Sequence, residues 1–139
     1  MTEVVREYPH LRILWVEELA AIHMQWLAPV GGAPFRDGLD DGLAALVERG
    51  ARHWLADLKQ LGVINRSDEA WLNEDWFPRA VDAGMRWLAI VNPESSLSTI
   101  SIREIMQGVS AKKLIDSDLL VTHSFEDLRD ALAWLRECA

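Results

Sequence analysis

The side chains of this sequence that could act as nucleophiles, metal ligands or proton carriers are few and spread apart. The four histidines are His10, His23, His53 and His123, and none stands three or four residues from another, so no helical metal pair is possible. His23, His53 and His123 fall in strand-like runs and could meet across a sheet, where neutral imidazoles bind zinc. Ordinary strand histidines are the simpler reading, and no metal or cofactor is assigned. His123-Ser124 is a dipeptide at a strand end rather than part of a Ser-His-Asp triad, which needs a strained turn to present its nucleophile. Cys138, the single cysteine, stands next to the C-terminal residue of the sequence and lacks a structured setting for nucleophilic work. There is no G-x-x-x-x-G-K phosphate loop and no G-x-G-x-x-G, and Gly31-Gly32 reads as a turn between prolines. An enzyme is therefore not expected.

The candidates that remain suit binding. Asp57 ends a strand-like run and precedes a loop, the region where open α/β sheets hold ligands. The plainer role for it is to accept bonds from loop amides. Asn65-Arg66-Ser67 matches the glycosylation pattern, which has no consequence in a cytosolic protein. Ser67 is expected to cap a helix running to about Gly84, with Asp68 and Glu69 in the first turn, where the helix dipole favours acids. At 100° per residue Leu72, Trp76, Phe77 and Ala80 share the apolar face of that helix, and Glu74, Asp75, Arg79 and Asp82 lie opposite. Trp71 and Pro78 fall among the charged residues, so Trp71 is expected off the core face, either open to a partner or packed on Pro78 or the preceding loop. Pro78 should kink or split the helix, because it lacks an N–H and its ring crowds the preceding turn.

These residues need a scaffold, and the sequence supplies one. Its 139 residues suit one domain, 1–139, with a core over about 11–136. Half the residues are hydrophobic and 26% are charged, which excludes a disordered tail or a disulfide scaffold. The net charge of −8, with 14 scattered Lys and Arg, argues against nucleic acid and against acidic membrane surfaces. One cysteine and an N-terminus without an apolar signal segment point to a reducing cytoplasm. No run reaches the roughly 20 apolar residues of a membrane span. Seven tryptophans are the compositional oddity. A small core accounts for most of them, and one or two could line a ligand pocket or contact patch.

Leu11 to Val16 and Ala21 to Leu27 read as strands joined by the short loop Glu17-Glu18-Leu19, the second with half-buried alternation. A helix follows from about Phe35 to Arg49, weakened by Gly38 and Gly42 and stopped by Gly50. His53 to Leu58, Arg86 to Val91 and Leu119 to Phe125 read as three further strands. Helices are expected over 67–84, 101–108 and 128–137, the last capped by Ser124 or Asp127. Successive strands stand about one strand-helix-strand unit apart, which calls for parallel pairing. The expected fold is α/β, with a mixed five-stranded sheet built from a hairpin and a βαβαβ run, closed by a C-terminal helix. Trp54, Leu88, Ile90 and Val121 should be buried in its central strands.

The stretch Trp54 to Val91, WLADLKQLGVINRSDEAWLNEDWFPRAVDAGMRWLAIV, resembles the middle of bacterial SpoIIAA-like proteins, which are grouped with the STAS domains. Phe125 to Leu135 is similar to that family's closing segment, AIHMQWL to its second strand, and the most specific element is W-L-x-x-x-W-F-P-R-A at Trp71 to Ala80. The resemblance implies a STAS-like sandwich and a regulatory module that binds a protein partner. In the anti-sigma-factor antagonists of that superfamily a serine after the third strand is phosphorylated, and Ser67 falls at that position. In place of the family's Asp-Ser-Ser-Gly signature this sequence has Asn65-Arg66-Ser67-Asp68. The binding candidates are thus Asp57, Asn65, Trp71, Trp76 and Pro78, with Ser67 as a phosphorylation candidate. The partner is another protein or a second copy in a homodimer; the alternative is a small apolar molecule or lipid held in a Trp-lined pocket.

Overall fold

A computed structural model describes residues 2–138. One six-stranded sheet runs through it in the order β1-β2-β3-β4-β5-β6. Strands β1 (Thr2–Tyr8), β2 (Leu11–Val16) and β3 (Ala21–Trp26) pair antiparallel. Strands β4 (His53–Asp57), β5 (Trp87–Val91) and β6 (Val121–Phe125) extend the sheet in parallel from β3. The chain is α/β as expected, but the sheet has six strands rather than five. The additional one is β1, whose sequence TEVVREY is charged and mostly exposed and breaks register between Val4 and Arg6. A charged and largely exposed edge strand needs no apolar run, so periodicity did not mark it.

Helices cover both faces. Helix α1 (Ala33–Arg49), α2 (Arg66–Trp71), a π-helical segment (Leu72–Trp76), α3 (Phe77–Asp82), α4 (Ser96–Met106) and α5 (Val109–Asp116) contribute to a core with Ile22, Met24, Trp26, Trp54, Leu88 and Ile90. Helix α6 (Leu128–Glu137), capped by Asp127, packs its Ala131 and Leu135 with Ala21, Leu55, Ala89 and Val91 on the opposite face. This second cover buries β3 on both sides, His23 included, where alternation had indicated one wet face. Val121 is only half-buried, because β6 is the other edge of the sheet, while Trp54, Leu88 and Ile90 are buried as expected.

The glycines that weaken α1 as a helix are what let it lie close to the sheet. A Cβ at Gly38 would stand 2.7 Å from Leu11, and one at Gly42 would stand 2.5 Å from the Met24 sulfur and 2.7 Å from Trp54. The helix expected over 67–84 is interrupted: Phe77 N–H bonds to the Leu72 carbonyl, five residues back. In a regular helix the Pro78 ring would crowd the carbonyl of residue 74, and the wider turn just before it relieves that clash. Helix α4 begins earlier than expected, at Ser96, and α5 had no counterpart in the sequence reading. Among the described residues no helix is long and apolar enough to cross a membrane.

Ile90 is 3% exposed in the second strand from the β6 edge. Ile90→Ala should lower stability by about 2–5 kcal/mol in urea titration, through lost burial and an enlarged void. A loss below about 0.5 kcal/mol, the size of an ordinary surface effect, would contradict this packing.

Candidate functional site

The polar centre of the helical layer is the Asp68 carboxylate, only 1% exposed. Its Oδ2 accepts from the Gly32 backbone N–H at 2.9 Å and from the Asn65 side-chain amide at 2.8 Å. Its Oδ1 accepts from Arg36 Nε at 2.8 Å. Asn65 in turn accepts from the Asp68 backbone N–H at 2.8 Å and is the residue that caps α2. The expectation that Ser67 is the cap is thereby corrected: the helix starts earlier, at Arg66, and Ser67 is its second residue, exposed. Asp68 then stands at the third helical position, the spacing at which cap and acid meet in a capping box. The run Asn65-Arg66-Ser67-Asp68 carried that signal, but the two acids after Ser67 drew the reading to the wrong cap.

Arg36 belongs to this site and was not singled out from the sequence, since nothing local links it to a helix that starts thirty residues later. Its Nη2 donates to Ser67 Oγ at 3.0 Å and to the Ser67 carbonyl at 3.2 Å. The same guanidinium lies 5.3 Å from the Trp71 ring centroid, and Arg79 lies 5.8 Å from it. Trp71 is thus half-buried at the rim of the core beside two cations, and both of its expected settings are modified by them. Arg79 bonds Asp40 on α1 at 3.0 Å and Asp75 at 2.8 Å, and the bond to Asp75 raises its already high pKa further. Ser67, Asn65 and Trp71 therefore converge around Arg36.

The other candidates lie apart from this cluster. Trp76 is buried, edge-on to Trp54 at 5.3 Å between ring centroids. Pro78 is half-buried near the start of α3. Asp57 ends β4 beside Gln25 and Val91 of the neighbouring strands, and its Oδ2 stands 3.2 Å from His23 Nε2. With Asp57 ionised, Nε2 carries the proton, because a carboxylate only accepts. A cavity of about 200 Å³ adjoins Asp57, bounded also by Gln25, Lys59 and Asp127.

The histidines do not converge. His53 stacks on Trp87, with Nε2 2.9 Å from the Cys138 carbonyl, and His123 stacks on Phe125. No three His, Cys, Asp or Glu among the described residues are placed to hold a metal ion. Burial pushes the Cys138 thiol above its usual pKa, which disfavours the reactive thiolate. Tyr8 donates to Asp41, and that bond raises the phenol's pKa.

Comparison of the chain with protein-family models, curated proteins and solved structures gives no match.

The cap assignment orders three substitutions. Asp68→Ala should cost about 3–5 kcal/mol, because it leaves buried donors and part of a guanidinium unpaired. Asn65→Ala should cost about 1 kcal/mol as a lost cap. Ser67→Ala should stay within about 0.5 kcal/mol, as an exposed change does. Denaturant titration of the three variants checks this; a larger loss at Ser67 than at Asn65 would restore Ser67 as the cap.

Proposed function

We propose that this protein is a small cytosolic STAS-like regulatory module that works by binding a protein partner, with Ser67 as a phosphorylation switch of the anti-sigma-factor-antagonist type. The observation that carries this reading is the Ser67–Arg36–Trp71 cluster. An exposed hydroxyl, a shared guanidinium and a half-buried indole stand together where two helices begin and cross. The resemblance of Trp54 to Val91 to SpoIIAA-like proteins supports the same position for the switch.

The chemistry of the switch follows from what Arg36 already does. Its Nε holds Asp68 and its Nη2 holds Ser67. A phosphate on Ser67 brings roughly two negative charges and three acceptor oxygens to that second arm. It strengthens the Arg36 contact while Asp68 and Glu69 repel it, so the guanidinium is drawn outward and the surroundings of Trp71 become more negative. A partner that packs on the Trp71 indole then meets a different surface in each state. Indoles are frequent anchors of protein interfaces, since they bury a large area at small entropic cost.

Intact-mass spectrometry of the protein from its native host, with Ser67→Ala as control, tests the switch. One phosphate mass that disappears in the variant is the expected result. The same host protein, cross-linked in lysate, should give a complex that Trp71→Ala weakens about tenfold or more, as loss of a hot-spot side chain does. Sedimentation of the purified chain tells a second copy from another protein as the partner. Trp71→Ala should itself lose only about 1–2 kcal/mol of stability, from its two cation–π contacts. No phosphate in several growth conditions and no complex dependent on Trp71 would remove this reading.

A further inference from the structure

Between the sheet and the π-helical segment lies an apolar cavity of about 60 Å³. Trp26, Trp54 and Trp76 contribute to its wall, Ala56 and Ile90 to its floor, and Ile102 of α4 to its far side. Every lining residue is apolar, with indole N–H groups as the side-chain donors and the Met106 sulfur as a weak acceptor. Trp76 is 2% exposed, and its Nε1 is buried without a hydrogen-bond partner. Among the described residues the other buried side-chain polar atoms without a partner belong to Arg49, His53 and Ser98, none of which lines this cavity. Trp76 also closes the π-helical segment, an irregularity that recurs at functional sites.

We propose that this cavity is a binding site for a small apolar molecule carrying one hydrogen-bond acceptor, with the Trp76 indole N–H as its donor. The reading is independent of the Ser67 switch and concerns different residues. Water is a poor occupant, because a buried water needs two to four polar partners and the lining side chains offer as acceptor only the weak Met106 sulfur. An alcohol would have only that sulfur for its own O–H, so an acceptor without a donor fits better: an aldehyde or ether oxygen. The volume is less than half of the roughly 150 Å³ that takes up benzene in an engineered apolar cavity. At that ratio the molecule has about two or three heavy atoms, as dimethyl ether does.

The test uses the full chain labelled with ¹⁵N, in which Trp76→Phe identifies the Trp76 indole resonance by its loss. The probes are dimethyl ether and propane, which share a shape and differ in the acceptor oxygen. Dimethyl ether is expected to move the Trp76 indole proton downfield and saturably. Trp76→Phe should weaken dimethyl ether about three- to tenfold, the worth of one hydrogen bond, and change propane far less. Absence of a saturable shift with either probe overturns the site. Equal weakening of both probes overturns the donor role and leaves the N–H to the face of the Trp54 ring. Should Trp76→Phe fail to fold, Ala56→Val serves instead: filling the floor should abolish the dimethyl ether shift while the other indole resonances keep their dispersion, and an unchanged shift overturns the proposal.

Discussion

The helical layer of this protein depends on one buried carboxylate. Removing an ion such as Asp68 from water costs several kcal/mol, which is offset only if its oxygens are fully engaged. Here they are: a backbone amide and a guanidinium from the start of α1, and a side-chain amide from the cap of α2, all at 2.8–2.9 Å. The carboxylate fixes the entry of α1 against the entry of α2, two segments that the sequence separates by β4. It also sets the pose of Arg36, and through Arg36 the neighbourhood of Ser67 and one side of Trp71. The surface cluster is therefore a consequence of the buried one.

Much of the sheet was legible because burial on both faces leaves a plain mark. LRILWV, HWLAD and WLAIV are apolar runs too short for helices and bounded by turns, and each is a strand. The first strand left no such mark, since one of its edges is free and its side chains meet water. The C-terminal helix was legible from its apolar stripe and its Asp127–Asp130 cap. Helix α5 was not: it has only eight residues, Val109 at its start is exposed, and of its residues only Ala111 is buried.

The candidate site divides along the same line. Part of what depends on local spacing could be read: Pro78 disturbs its helix, and Trp71 stands half-buried at the rim of the core beside Arg79, eight residues on. Whatever depends on two distant segments meeting could not. Asp68 was read as a first-turn acid that complements a helix dipole, a solvated role worth a few tenths of a kcal/mol. Its burial comes from α1 lying across it, and that depends on Gly38 and Gly42 admitting the helix so close to Leu11, Met24 and Trp54. The His23–Asp57 pair is of the same kind: two polar residues on adjacent parallel strands, brought under cover by a helix from the far end of the chain.

The two faces of the sheet are packed by different means, and the cavity follows from the difference. On the α6 face the fully buried side chains are small or aliphatic, Ala21, Ala89, Ala131 and leucines among them, and Trp87 and Trp134 are only partly buried. On the opposite face the space is filled by indoles, which are large, flat and limited to two torsions. Trp54 and Trp76 meet edge to face at 64°, and Trp76 meets Phe77 at 68°. That arrangement satisfies the ring quadrupoles but does not tile a volume, so an irregular void is left at their junction. The π turn that accommodates Pro78 ends on Trp76 and sets that ring against the void. An aliphatic residue there would fill space with no polar atom to satisfy. Tryptophan fills it at the cost of a buried N–H, and that donor gives an otherwise featureless apolar gap its chemical direction.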